Sequence, residues 1–232
     1  LVKSVIFHAE DIINGFPLLA KGLLFTVFLA INSFTLALVF GTLLGLLREE
    51  VQGWLGKLAA LYIEFIRGIP LILLLIFTHY GLLPLLFGGS NFIVSSLLTF
   101  ILFESAYVGE IVRGGLRSVT TIERESALCL GLNRWQQLRY IVLPLAYRRM
   151  SPALVGQFIS LLKDTSLAAA VGVVEFTRAG EIIYEQTFHD FEILLFQAII
   201  YFALCFSISI LGRRFEPAER QPQNILARAI SD

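Results

Sequence analysis

Thr120–Pro144 reads TTIERESALCLGLNRWQQLRYIVLP. It is the most polar long stretch of a 232-residue chain in which 56% of residues are hydrophobic and 16% charged. Soluble domains carry roughly 25% charged residues, so this chain lacks the polar surface to cover itself in water. A mean hydropathy of +0.77 points the same way, to an all-α integral membrane protein built as a single domain. Thr120 and Glu123 have the spacing of a capping box, which starts a helix near Thr121. Gly131 ends that helix at a left-handed position, Asn133 caps a second one, and Pro144 is expected to stop it. The result is a two-helix hairpin over about 118–148, too small to bury a core of its own. It must rest either on another protein or, as an amphipathic loop, on lipid headgroups.

Working outward, Gly22 to Leu47 holds no Asp, Glu, Lys or Arg and sixteen Leu, Ile, Phe or Val residues. At roughly 0.3 to 0.6 kcal/mol each these favour insertion by very roughly 5 to 10 kcal/mol, so a first span is expected over about 20–48. Gly68 to Phe103 is equally free of charge but too long for one crossing. Pro84 and the Gly88-Gly89 pair are expected to break it into spans over about 58–79 and 92–113. Ile193–Gly212 is a further span of standard length. The segment 151–174 carries Lys163 and Asp164 at its middle, at roughly 2.5 to 3.5 kcal/mol each. It crosses only if those charges face protein or a water-lined cavity. Five spans result.

Charge gives the orientation. The hairpin and its flanks carry Arg113, Arg117, Arg124, Arg134, Arg139, Arg148 and Arg149. With Arg48, Lys57 and the tail arginines 213, 214, 220 and 228, thirteen of the eighteen basic residues fall on one side of a five-span topology. The loop before the last span is acidic, with Glu175, Glu181, Glu185, Asp190 and Glu192 against Arg178. The positive-inside rule therefore puts the N-terminus outside, and the hairpin and C-terminus in the cytoplasm. A net charge of zero gives no sign of a nucleic-acid partner. Cys129 and Cys205 match no metal or redox spacing, and are expected to be reduced and without a special role. The opening residues KSVIFHAEDIINGFP do not ramp from basic to apolar, so no cleavable signal is expected.

Glu125, Ser126 and Ala127 set small residues beside an acid, a surface that another protein can approach closely. Glu-Ser-Ala, three residues, Gly131, nine residues and Ile141-Val142-Leu143-Pro144 resemble the EAA loop of ABC importer permeases, with Ser126 in place of Ala. Around it YIEFIRGIPL (62–71), AYVGEIVRGGL (106–116) and LLKDTSLAA (161–169) resemble blocks of the polar amino acid permease family, of histidine, glutamine and glutamate type. The similarity runs from about Gly22 to Arg214, with departures at TIERE (121–125) and Leu145. It implies the type I importer permease fold in a bacterial cytoplasmic membrane. It also implies a coupling helix at Glu125–Gly131 seated on a separate ATP-binding cassette subunit, a second permease of the same or similar sequence, and an external substrate-binding protein. Arg134 and Arg139 either assist the coupling contact electrostatically or are ordinary positive-inside anchors.

No P-loop is present: Gly56-Lys57 is followed by Leu58, with Val51 where the first glycine should be. ATP and magnesium are therefore expected on the partner, with no cofactor in this chain and no enzyme activity of its own. Lys163, Asp164, Thr165 and Ser166, then Glu104 and Tyr107, are candidates for a path taken by a polar amino acid. For Lys163 and Asp164 the alternative is to hold the bundle or a gate. Glu110 can pair with Arg113. Gly68 and Pro70 suggest a hinge, although Arg67 beside them can simply snorkel to the interface. Ala37, Gly41 and Gly45 suit close helix packing. Competing functions are transport of another small solute, a passive channel, or a membrane enzyme using Glu104, Glu110 and His79. A channel needs no coupling hairpin, and no metal or catalytic spacing supports the enzyme.

Overall fold

The computed structural model describes residues 8–51 and 53–214; Arg220 and Arg228, counted above for orientation, lie outside them. Helix α1 (Ala9–Glu50) runs 42 residues, about 63 Å at 1.5 Å per residue and longer than the ~30 Å of a hydrocarbon core. One line of small side chains is buried along it: Gly22, Thr26, Ala30, Ser33, Ala37, Gly41 and Gly45, in steps of three or four. That spacing keeps them on one face, and the face lies on α5 (Phe92–Ser118) and α9 (Phe176–Thr187). A Cβ on Gly41 would come within 2.6 Å of Val108 and 2.8 Å of the Ser105 carbonyl oxygen. On Gly45 it would come within 2.7 Å of the Gly109 carbonyl, and on Gly22 within 2.9 Å of the Glu175 carbonyl. The packing glycines inferred from sequence thus sit where two helix backbones touch.

Helix α2 (Trp54–Arg67) turns back along α1 and packs on both α1 and α5. The chain then breaks at Gly68–Pro70 and bends by 100° into α3 (Leu71–Phe77) and α4 (Leu83–Phe87). Pro70 has no N–H to give to α2 and stands extended (φ −58°, ψ 131°) as the residue before α3. The continuous crossing expected over 58–79 is therefore a broken one, because the breaker acts at 68–70 and not near 79. Pro84 does not break the chain as expected. It lies in the first turn of α4, after a five-residue π turn, Thr78–Leu82, in which the Leu83 N–H donates to the Thr78 carbonyl. Gly88, at φ 72°, ends the segment.

Helices α6 (Thr121–Cys129) and α7 (Arg134–Gln137) form the hairpin. Pro144 does not stop the second of them. A π turn at Leu138–Val142 joins α7 to α8 (Leu143–Asp164), Leu143 N–H donates to the Leu138 carbonyl, and Pro144 sits in the first turn of α8. Both prolines thus follow an i→i−5 turn. Its wider register moves the carbonyl that the ring would otherwise strike. Helix α8 tightens into a 3-10 turn over Thr165–Val171, which Gly172 ends at φ 94°. Helix α10 (Asp190–Arg213) completes the bundle. Buried Glu175 ties three helices together: it caps α9 through the amides of Thr177 and Arg178, both at 2.8 Å, and accepts from Thr26 of α1 and Tyr201 of α10, both at 3.3 Å.

Four helical stretches are long and apolar enough to cross a membrane, at 9–50, 92–118, 134–171 and 190–213, and the bent pair makes a fifth if it counts as one span. Replacing Gly41 or Gly45 with Val should cost about 1–3 kcal/mol of overpacking. Ala at Gly114 or Gly156, where a Cβ meets nothing within 4 Å, should be neutral or slightly stabilising. Thermal unfolding of the purified chain in detergent measures the contrast, and equal effects at all four positions would refute the seam.

Candidate functional site

The hairpin is capped at each start. Thr120 accepts from the Glu123 N–H at 3.3 Å while the Glu123 carboxylate accepts from the Thr120 N–H at 2.8 Å. Asn133 and Gln136 repeat the exchange, both ways at 2.9 Å. Gly131, at φ 72°, makes the turn between them and bonds to the Leu128 carbonyl at 2.9 Å. Of the residues expected to meet a partner, Ala127 is buried under the hairpin, while Glu125 and Ser126 face outward. The Ser126 hydroxyl turns back to the Ile122 carbonyl at 2.7 Å, so the residue presents little more bulk than alanine. Ile122, Leu128, Leu130 and Trp135 are all more than half exposed, an apolar surface that the hairpin itself leaves uncovered. Arg134 is exposed and lines a cleft of about 210 Å³ with Glu50, Arg124 and Gln137. Arg139 lies over the Tyr140 ring at 6.0 Å.

Ion pairs fix the hairpin to the bundle. Arg149 of α8 holds both oxygens of Glu123, at 2.5 and 3.0 Å, and the Ser118 carbonyl at 2.6 Å. Arg124 donates to Glu50 and to the Leu116 carbonyl, both at 3.1 Å. The Arg149 guanidinium, then the Thr120 amide, hold the Glu123 carboxyl down to about 2. Because it titrates below the unfolded value of about 4.3, its stabilising contribution is complete above about pH 5 and drains away as pH falls toward 2. Amide exchange across α6 should follow that window, and Arg149→Gln should flatten it.

At the bend, Glu110 gathers three arginines. Arg113 donates to both its oxygens, Arg48 reaches it at 3.1 Å, and Arg67 stands 3.8 Å away. Arg48 also holds Glu64 of α2 at 2.7 Å. The expected Glu110–Arg113 pair is therefore one part of a larger cluster. Arg67 lies over the Tyr107 ring at 5.3 Å, which in turn packs on Phe103.

Among the path candidates, Glu104 lies on α5 and Asp164 ends α8, two helices that pack on each other. Glu104 is fully buried; one oxygen accepts from the Gln157 amide at 3.0 Å and the other is sealed without a partner. Asp164 is half-buried, whereas Lys163 is exposed and forms no ion pair with another helix among the described residues. The buried Thr165 hydroxyl is committed to the Leu162 carbonyl at 2.7 Å, while Ser166 stays half-buried. Gln157 escaped the sequence reading because it is neutral. Its place seven residues before Asp164, on the same helix face, is the signal that could have found it. His79, named only for the enzyme alternative, is buried against Ser95 at 2.8 Å. Among the described residues no group of three or more His, Cys, Asp and Glu could hold a metal.

A helical bundle with a bent second span and a doubly capped hairpin pinned to its helix ends has the type I ABC importer permease fold. Residues 37–221 match the family described as the binding-protein-dependent transport system inner membrane component, and the chain belongs to that family. It is 37% identical over 213 residues to the glutamine transport system permease protein of Escherichia coli strain K12, covering 90% of this chain and 96% of that one. It is 31% identical over 212 residues to the glutamate/aspartate import permease protein of E. coli O6:H1, covering 88% and 95%. The crystal structure of an amino acid ABC transporter with histidines superposes with a TM-score of 0.84 at 30% identity, over 92% of this chain and 99% of that one. An inward-facing methionine ABC transporter shares the fold at a TM-score of 0.71 and 19% identity.

Proposed function

We propose that the chain is the permease subunit that moves polar amino acids inward, energised through α6 by a separate ATP-binding subunit that holds ATP and magnesium. The observation that carries this reading is the hairpin: capped at both starts, tied to α1, α5 and α8, and exposing Ile122, Leu128, Leu130 and Trp135 beside Glu125. A surface of that kind on a rigid mount transmits a push, provided that a partner sits on it. The relatives named for glutamine and for glutamate/aspartate support the substrate class. The basic residues at the hairpin end support a cytoplasmic hairpin and C-terminus with the N-terminus outside. A second permease, identical or similar, completes the transport unit, and an external binding protein delivers the substrate.

In this reading alternating access is a two-state rocking of packed helices, and ATP biases it through contacts that differ between the two states. The polar strip from Glu104 and Tyr107 to Lys163, Asp164, Thr165 and Ser166 lines or gates the path. Gly68–Pro70 supplies the bend about which α3 moves relative to α2.

With the reconstituted complex, Glu125→Lys should lower binding-protein-stimulated ATPase at least about tenfold, the loss that 1.4 kcal/mol of interaction gives. Unaltered stimulation would defeat the coupling assignment. Asp164→Asn should lower amino acid uptake by about the same factor while leaving ATPase stimulation in place. Full uptake in that variant would remove Asp164 from the path.

A further inference from the structure

The last turn of α1 carries Arg48, Glu49 and Glu50, and each is paired to a different place. Arg48 bridges Glu64 of α2 and Glu110 of α5. Glu49 accepts from Arg117 at the end of α5, at 2.8 Å. Glu50 accepts from Arg124 of α6, whose guanidinium also covers the Leu116 carbonyl. Exposed or half-exposed pairs of this kind add little to stability singly. Three in a row on one helix turn are better explained by position: they hold the hairpin, α5 and the lower limb of the bent span in one register. The charges facing Glu50 and Arg124 are Arg134, across the shared cleft, and neighbouring Glu49, already bound to Arg117.

We propose that this turn is the relay by which a displacement of α6 reaches the bend at Gly68–Pro70. Arg124 and Glu50 are the positioning residues of its first step, and Arg48 with Glu64 and Glu110 make the second. A push on α6 moves Glu50 through Arg124. Two residues back on the same rigid helix, Arg48 then carries Glu64 and the end of α2 with it. The relay rests on the coupling reading above, but it can fail separately.

The test uses the full importer complex in liposomes, with uptake counted per ATP hydrolysed. Glu50→Arg and Arg124→Glu should each lower that ratio roughly threefold to fivefold, the scale of one exposed ion pair. The double swap should restore it. A merely structural pair would lower uptake and ATPase together and leave the ratio unchanged, which would overturn the relay; so would two single losses that add without rescue. If Glu125→Lys leaves ATPase stimulation intact, the coupling reading itself is at fault and not only the relay.

Discussion

The close contact of α1 on α5 is the constraint from which the other features take their places. A membrane interior offers no hydrophobic drive to bring helices together, because lipid is as apolar as leucine, so backbones associate where small residues let them touch. The stripe from Gly22 to Gly45 does this over more than twenty residues and sets the register of α1 against α5 and α9. That register brings Arg48 level with Glu110, Glu50 level with Arg124, and Thr26 under Glu175. A rotation of α1 by one residue would turn its face by about 100° and take all three contacts apart.

Polar groups inside the bundle divide into those satisfied by this packing and those that are not. Glu175 receives donors from three helices and is structural in every contact it makes. Glu104 has one donor and one sealed, unpartnered oxygen. Buried polar groups are nearly always paired, so an oxygen left without a partner on the α5–α8 boundary marks where a second arrangement of those helices has something to gain.

What the sequence made legible was mostly local. Thr120 with Glu123, the Asn133 cap, and Gly131 between them act over three or four residues, and the structure contains each. The small-residue stripe was half read: Ala37, Gly41 and Gly45 stood out by their glycines, while Thr26, Ala30 and Ser33 look ordinary in an apolar run. Prolines misled. Pro84 and Pro144 were read as stops because a proline inside an α-turn collides with the preceding turn. Whether a π turn absorbs that collision depends on what the helix packs against, which no window of sequence contains. Non-local pairs were equally hidden. Glu110 announced Arg113 three residues on, but nothing in the chain order tied it to Arg48, 62 residues earlier.

The two π turns have a mechanical consequence. Each stores one residue more than the α-helix around it needs, much as a coil of rope holds slack. Passing that surplus along α8 would screw everything on its far side round by about 100° and shift it by ~1.5 Å, without unwinding a single turn. A helix with such slack beside a proline can change which face it shows to its neighbours while remaining a helix throughout.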